Sequence, residues 1–159
     1  MKKELAKDLE QFPRAREVLV NVFDNQNRVS KHPLYSVNFY YCQGLVLFGN
    51  NGKVGLLHQP HWRSSVKNIE NLLKKINDES VAIILQSPSN GKNGPTIQEV
   101  CYNLNIPVLK SFYQEEKYSK KERRFIMDSR DILVIPSEKE VRIYSEKRKI
   151  DIFNYNKLE

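Results

Sequence analysis

The chain has only two cysteines, Cys42 and Cys101, among its 159 residues. Two thiols do not make a disulfide framework, so we expect a reducing compartment and a fold without cross-links. The apolar run from Gly44 to Phe48 is far too short to cross a bilayer, and no apolar run is longer. The N-terminal lysines have no apolar segment behind them, which argues against a cleaved secretory signal. We therefore expect a cytoplasmic protein, or an effector exported without a cleaved signal.

Internal repeats and low-complexity segments are also missing, and a chain of this length suits one domain. Hydrophobic residues make up 40% of the sequence, enough for a core that needs neither disulfides nor a metal to fold. We expect a single domain over residues 1–159. Within it, residues 1–33 are predicted to form a helix, a strand and a loop, residues 34–145 the core, and residues 146–159 an edge strand or tail.

The formal net charge of +7 favours partners of negative charge. Five cations are concentrated in one segment that is predicted to be a loop: Lys117, Lys120, Lys121, Arg123 and Arg124. Such a run is typical of a solvated surface, but it also predicts binding to an acidic protein surface. Nucleic acid is the less favoured partner, because the flanking Tyr113, Tyr118 and Phe125 follow no recognised RNA-binding motif.

Hydrophobic periodicity predicts two or three helices and a larger number of strands. Helices are expected at Lys2–Gln11, at Val66–Ile76 after a cap at Ser64 or Ser65, and from a capping box at Thr96 to about Leu104. Strands are expected at Glu17–Phe23, Tyr35–Phe48, Lys53–His58, Val81–Leu85, Pro107–Phe112, Arg124–Met127, Ile132–Ile135, Val141–Tyr144 and Lys149–Tyr155. Loops or turns are expected at Asp24–Pro33, Gln86–Pro95 and Ser137–Lys139. Because hairpins dominate this order, the predicted class is α+β, with the helices packed on a mixed, mostly antiparallel sheet.

One predicted hairpin has a specific geometric consequence. The segment Gly49–Gly52 separates two β-rich runs, and its Asn-Gly pair supplies the positive φ angles of a tight turn. Residues equally distant from a turn face each other across the ladder, so Cys42 and His58 are predicted to lie nearly opposite each other. Cys42 also lies at the seam between two β-like stretches, close to Gly44, where the backbone can turn sharply.

A cysteine beside a histidine is the arrangement of a thiol nucleophile and its base. The thiolate is the reactive form, and a neighbouring imidazole lowers the thiol pKa and returns the proton to a leaving group. The structural alternative is that Cys42 belongs to the core and His58 ends an exposed strand, with Cys101 as a second core thiol. Cys42, His58 and His61 also offer three zinc ligands, but Pro60 disrupts their spacing and no metal is predicted.

The order of these residues resembles the CheD family, the bacterial chemoreceptor glutamine deamidases, and with it the catalytic domain of cytotoxic necrotising factor. That family has a threonine six residues before its nucleophilic cysteine, followed by a hairpin and a histidine. Here Ser36 stands six residues before Cys42, and a hairpin leads to His58. The resemblance covers about residues 36–144, with its specificity in these three positions and the hairpin.

Two departures from the family pattern affect the candidate site. Tyr40 and Tyr41 stand where the family has a glycine and a serine, which narrows or reshapes the pocket. The segment from Gly55 to His58 is one residue short. Because a one-residue change reverses side-chain direction in a strand, a bulge is expected to aim His58 at Cys42.

The resemblance implies a CheD-like layered fold and a hydrolase that deamidates a glutamine side chain in a protein substrate. Cys42 is the implied nucleophile, His58 the base, and Ser36 the hydroxyl that accepts a hydrogen bond from the other imidazole nitrogen. Backbone N–H groups at Gln43 and Gly44 are the implied oxyanion donors. No cofactor is needed. If an amine replaced water, the same centre would catalyse transglutamination.

A binding protein is the competing class. On that interpretation the CheD-like fold is a catalytically inactive scaffold, and the basic segment from Lys117 to Arg124 holds an acidic protein partner. A nucleic-acid-binding domain is the weaker version of the same hypothesis, and it predicts a steep loss of affinity with added salt.

Overall fold

The computed structural model describes residues 1–20, 28–60, 66–87, 95–114, 116–146 and 150–155, without the side chains at positions 116, 117 and 127. The helices are α1 (Lys3–Leu9), α2 (Val66–Ile76) and α3 (Ile97–Asn103). The strands are β1 (Arg16–Glu17), β2 (Arg28–Ser30), β3 (Leu34–Phe39), β4 (Gln43–Gly49), β5 (Val54–Gln59), β6 (Ser80–Gln86), β7 (Val108–Tyr113), β8 (Glu116–Ser119), β9 (Arg124–Met127), β10 (Arg130–Ile135), β11 (Glu140–Tyr144) and β12 (Ile150–Asn154).

Ten of these strands form two five-stranded sheets, and β8 and β9 form a separate ribbon. Sheet A has the order β1-β3-β10-β11-β12, and sheet B has the order β2-β5-β4-β6-β7. Neighbouring strands are antiparallel except for the pairs β1–β3 and β6–β7. The predicted α+β class with mostly antiparallel, mixed pairing is confirmed. The expectation of one sheet is wrong, because the strands separate into two sheets that bury their inner faces against each other.

Three apolar clusters stack the molecule into layers. The inner cluster lies between the sheets and includes Val134 of sheet A and Val46 of sheet B. A second cluster packs the other face of sheet B, including Leu45, against α2 and α3. A third, smaller cluster packs Leu5 of α1 against Leu133 on the outer face of sheet A. The layer order is therefore α1, sheet A, sheet B, and then α2 with α3.

β4 is buried along its whole length because both of its faces are covered. Val46 and Phe48 face the inter-sheet cluster, whereas Leu45 and Leu47 face the helices. A continuous apolar run, rather than strict alternation, is what a strand covered on both faces requires. This environment explains the Gly44–Phe48 run in the sequence.

The β4–β5 hairpin forms where the sequence predicts it. The N–H of Gly49 donates to the carbonyl of Lys53 across 2.9 Å, and Gly52 takes a φ of 80°, which favours glycine. β4 and β5 then pair without a bulge, and Gly44 lies opposite His58. The predicted near-opposition of Cys42 and His58 is therefore wrong by two positions, and the expected bulge is not present. Because side chains alternate between the two faces of a strand, a residue two positions further along still has its side chain on the same face.

Several loop and strand assignments also change. The predicted loop before Pro33 contains β2, which pairs with β5. Of the strand predicted at Glu17–Phe23, only Glu17 belongs to a strand, as the second residue of β1, and residues 21–23 lie outside the described ranges. The basic segment is the β8–β9 hairpin rather than a loop. The turn at Ser137–Lys139 is present as a 3-10 turn, and β12 is the predicted edge strand.

The helix caps are partly described. Thr96 accepts a hydrogen bond from the N–H of Glu99 across 3.1 Å, as the capping box predicts. The proposed cap at Ser64 or Ser65 and most of the Gln86–Pro95 loop lie outside the described residues. Within the described ranges, no helix has the length and apolarity needed to span a bilayer.

α1 is fixed to sheet A by one apolar and one polar contact. Leu5 is completely buried against the outer face of the sheet. Asp8 accepts a hydrogen bond from the Tyr144 hydroxyl across 2.6 Å and pairs with Arg142 across 3.2 Å. The N-terminal segment is therefore an integral layer of the domain.

Replacement of Leu5 by alanine should lower the free energy of unfolding by about 2–5 kcal/mol, because it leaves a cavity between α1 and sheet A. Leu19→Ala is the matched control, since Leu19 is 54% exposed. Denaturant unfolding of both variants measures the difference. Equal losses in the two variants would contradict the packing of α1 described above.

Candidate active site

His58 is buried in the space between the two sheets. It lies near the end of β5, and only 3% of its surface is exposed. Its ring stacks on Phe39, with 3.7 Å between the ring centroids and 10° between the planes. Phe39 ends β3 in the opposite sheet and is itself fully buried. The imidazole is thus held between an aromatic face of sheet A and its own strand in sheet B.

A hydrogen-bond chain orients the imidazole. The Ser36 Oγ atom lies 2.8 Å from Nδ1 of His58, and the same hydroxyl donates to the carbonyl oxygen of Val18. A carbonyl only accepts, so the single hydroxyl hydrogen of Ser36 is committed to Val18. Ser36 must then accept from Nδ1–H, which places the ring proton on Nδ1 and leaves the lone pair on Nε2. The contact expected between Ser36 and His58 is present, and the Val18 carbonyl is an additional member that the sequence did not indicate.

Burial keeps His58 uncharged. Desolvation lowers the pKa of the imidazole from 6.5 to about 3, because the buried site disfavours the charged form. Nε2 is buried and has no hydrogen-bond partner among the described residues. A buried, unpaired acceptor is costly in an apolar core, and a catalytic role is one reason for a protein to retain such an atom. In this closed state, His58 is a neutral base with its acceptor nitrogen unused.

Cys42 lies in the connection between β3 and β4. We call residues 38–42, which include the last two residues of β3, the Cys42 turn. Asn38 and Tyr41 have φ angles of 61° and 60°, a left-handed conformation that is uncommon outside glycine and particularly so for a bulky residue. The turn therefore depends on these two residues and not on Gly44. Backbone strain of this kind is often found at functional sites. Cys42 is half-buried and packs against the inter-sheet cluster, the side on which His58 also lies.

The Cys42 thiol is not hydrogen-bonded to His58 in this structure, since Nε2 has no partner in the described part of the chain. Burial raises the pKa of the thiol to about 11, and a hydrogen bond with the Tyr40 backbone only partly opposes that rise. The expectation that the imidazole lowers the thiol pKa is wrong for this closed state, because desolvation dominates both groups. The described state holds a neutral thiol and a neutral imidazole.

Gly44 has a role that differs from the one predicted. It pairs with His58 on one side and with Leu85 on the other, so its backbone belongs to the ladders and is not available to an oxyanion. A Cβ at this position would lie 2.7 Å from the Phe39 ring, so glycine is required for the stacked ring to fit. Gln43 has a strand partner on one side only, and its side chain accepts from the N–H of Ile97. The candidate oxyanion donors are therefore the backbone N–H groups of Cys42 and Gln43.

Buried polar residues that the sequence did not single out hold the Cys42 turn. The Asp131 carboxylate is fully buried and accepts from the N–H groups of Asn38 and Lys2, across 2.9 and 2.6 Å. Gln114 donates from Nε2 to the carbonyl of Phe39 across 3.1 Å. The turn that carries Cys42 is thus connected both to the start of α1 and to the end of β7. Only the tertiary structure brings these side chains to one place.

Arg130 joins the two sheets near the Cys42 turn. It lies opposite Phe39 in sheet A, and its guanidinium donates to the carbonyl of Gln86 at the end of β6 across 3.0 Å. Burial lowers its pKa to about 10, while Asp128 and Asp151 oppose that shift. Among the described residues its Nε has no partner. A buried cation therefore lies at the same end of the molecule as Cys42.

The remaining predicted residues lie elsewhere or outside the description. Cys101 is completely buried in the cluster under α3, as expected of a core thiol. His61 is not among the described residues, within which no cluster of three or more potential metal ligands occurs. Lys120, Lys121, Arg123 and Arg124 are exposed on the β8–β9 hairpin, and the side chain of Lys117 is not described.

One cleft of the molecule is remote from the candidate site. It has a volume of about 530 Å³ and lies at the hairpin end of sheet B, lined in part by Asn50, Glu79 and Pro107. Among its described lining residues there is neither a cysteine nor a histidine. The Cys42–His58 region is the stronger candidate, because it combines a nucleophile, a base and a strained backbone.

In comparisons with known proteins, the chain matches no protein-family model and no curated protein.

The buried imidazole should make the protein sensitive to acid. Below its ordinary pKa of 6.5, His58 takes up a proton in the unfolded chain, whereas the folded chain resists protonation down to about 3. The free energy of unfolding should therefore fall with pH in this window, by about 1.4 kcal/mol per pH unit. Measured at about pH 6.5 and 4.5, the native chain should lose about 2 kcal/mol more than His58→Asn. The same loss in both chains would show that the imidazole is not held neutral.

Gly44→Ala should destabilise the protein by about 1–3 kcal/mol, because the new methyl group overlaps the Phe39 ring. The cost should be smaller in a Phe39→Leu background, where the ring is absent. A double-mutant cycle by denaturant unfolding measures this coupling. Additive effects would mean that Phe39 does not restrict position 44.

Proposed function

We propose that the protein is a cysteine-dependent amide hydrolase that deamidates a glutamine side chain of a protein substrate, as the resemblance to the CheD family implies. The observation that carries the proposal is the Val18–Ser36–His58 hydrogen-bond chain, which fixes the imidazole tautomer. A histidine with its proton on Nδ1 presents Nε2 as a base, and this is the tautomer that a cysteine nucleophile requires. A purely structural histidine in a core would gain more from using both nitrogens.

The reaction begins when Nε2 of His58 accepts the proton of the Cys42 thiol as its sulfur attacks the carboxamide carbon. A sulfur–carbon bond forms, and the backbone N–H groups of Cys42 and Gln43 stabilise the oxyanion. The imidazolium returns its proton to the amide nitrogen, the carbon–nitrogen bond breaks, and ammonia leaves. Water, deprotonated by His58, then cleaves the thioester and releases glutamate. If a primary amine attacks instead of water, the product is a transamidated side chain.

The closed state sets a requirement for this mechanism. With a thiol pKa of about 11 and an imidazole pKa of about 3, an ion pair between the two is strongly disfavoured before substrate binds. Movement of the Cys42 turn would bring Cys42 and Nε2 together and admit the polar carboxamide. Because desolvation causes both shifts, such opening moves both pKa values back towards their ordinary range. We expect this movement at Asn38 and Tyr41, because their backbone is in the left-handed region that costs energy to hold.

A noncatalytic binding protein is the second candidate, and the same closed state favours it. Phe39 covers the face of His58, and the thiol has no hydrogen bond to Nε2. On this alternative, Cys42 and His58 only stabilise the packing of the two sheets, and a partner binds at the basic segment from Lys117 to Arg124. The two candidates differ in whether Cys42 changes a substrate.

Cys42→Ala should abolish ammonia release from a pool of glutamine-containing proteins, because it removes the nucleophile, and should leave the fold intact. Ser36→Ala should lower kcat by about a hundredfold, because the imidazole tautomer is no longer fixed, and Ser36→Thr should restore most of that loss. Cys101→Ala is the matched control and should retain activity. Ammonia release and the mass change of deamidated peptides measure the outcome.

Full activity in Cys42→Ala would remove the nucleophile assignment. Absence of release from the native chain across the whole pool, together with equal and slow alkylation of Cys42 and Cys101, would favour the binding protein. The circular dichroism spectrum of each variant checks that the fold is retained.

A further inference from the structure

The β8–β9 hairpin, with its turn at residues 120–123, is an exposed ribbon that belongs to neither sheet; we call it the basic ribbon. Tyr118 and Phe125 face each other across it in an edge-on contact, with 5.3 Å between ring centroids, yet both remain more than half exposed. In the described part of the chain, Lys120, Lys121 and Arg123 form no ion pair, and they lie on the exposed turn. Aromatic area and unpaired cations on one projecting element are typical of a binding surface.

The base of the basic ribbon is joined to the candidate site. Gln114, two residues before the ribbon, donates from Nε2 to the carbonyl of Phe39 and to the carbonyl of Asp128, immediately after the ribbon. These two hydrogen bonds place the base of the ribbon beside the turn that carries Cys42. A chain bound along the ribbon would therefore continue towards the thiol.

We propose that the basic ribbon is a docking arm for an acidic segment of the substrate protein, which delivers a glutamine near that segment to Cys42. The proposal rests on the proposed deamidase function and names its substrate class. Aspartate and glutamate side chains near the reactive glutamine would pair with Lys120, Lys121 and Arg123. Apolar side chains between them would cover Tyr118 and Phe125.

A protein segment fits this surface better than a nucleic acid does. Lys120, Lys121 and Arg123 lie together on one narrow ribbon, and the base of that ribbon adjoins the Cys42 turn, where the proposed reaction acts on a carboxamide. An extended peptide can contact both the ribbon and the Cys42 turn, and its register decides which glutamine is presented. Exposed ion pairs are individually weak, so the arm supplies binding and selectivity and does not take part in the chemical step.

Fluorescence anisotropy on the full chain carrying Cys42→Ala separates docking from turnover. One labelled peptide has a glutamine flanked by aspartate and glutamate, and a second has the same glutamine flanked by serine. The acidic peptide should bind more tightly, and added salt should weaken its binding. The triple change Lys120→Glu, Lys121→Glu and Arg123→Glu should lower the affinity for the acidic peptide about tenfold and leave the serine peptide unchanged.

The matched control reverses three exposed lysines on helices that cover the outer faces of the two sheets: Lys3→Glu, Lys7→Glu and Lys74→Glu. This variant has the same net charge as the ribbon variant. If binding depends on the position of the ribbon cations and not on net charge, the control should keep the affinity of the Cys42→Ala chain within about twofold. Equal losses in both variants would reduce the effect to net charge and overturn the proposal. Tighter binding of a single-stranded oligonucleotide than of the acidic peptide would overturn it in favour of nucleic acid.

Kinetics distinguish failure of the arm from failure of the proposed function. In the chain with Cys42 intact, the ribbon variant should raise KM for ammonia release from the acidic peptide and leave kcat unchanged. If ammonia release depends on Cys42 but KM does not respond to the ribbon, only the docking arm is wrong. If the acidic peptide binds through the ribbon but no chain releases ammonia, the deamidase proposal fails and the ribbon is a docking site without that chemistry.

Discussion

The hydrogen bond between Ser36 and His58 crosses the apolar space between the two sheets, and the geometry of the candidate site depends on it. Both residues are almost completely buried, so either one without a partner would cost the domain stability. The Val18 carbonyl uses the only hydroxyl hydrogen of Ser36, and this leaves one possible direction for the bond to the imidazole. One chain of three groups thus joins the N-terminal segment, sheet A and sheet B, and determines which nitrogen of His58 is a base.

Burial has two opposite effects at this centre. It makes the hydrogen-bond chain rigid, because the surrounding core excludes water and competing partners. It also removes the charge from both candidate reactive groups, since desolvation raises the pKa of Cys42 and lowers that of His58. Phe39 produces much of this burial by stacking on the imidazole, and Gly44 leaves the room that the ring needs. The described state is therefore organised but closed, and the strained Cys42 turn is the element that would have to move.

Much of the fold was predictable because local patterns determine it. The helical spacing of Val66, Ile69 and Ile76, the capping box at Thr96 and the Asn-Gly turn all depend on residues close in sequence. The predicted deamidase centre has a similar origin, since the spacing of Ser36, Cys42 and His58 is a sequence property. The division into two sheets was not predictable, because an isolated strand carries no signal for the sheet that it joins. The same limit hid β2 and β8 in segments whose polar composition resembles a loop.

Local sequence patterns were sufficient to predict most of the helices and strands, the hairpin turn, the positive charge of one segment and the short list of reactive side chains. The folded molecule pairs Gly44, rather than Cys42, with His58, because a strand register depends on the full length of the turn. The tertiary structure also decided the contacts of Phe39, Asp131 and Gln114 around the Cys42 turn, which join residues distant in sequence. The protonation states of Cys42 and His58 also depend on the tertiary structure, because desolvation is a property of the packed molecule and not of any residue alone.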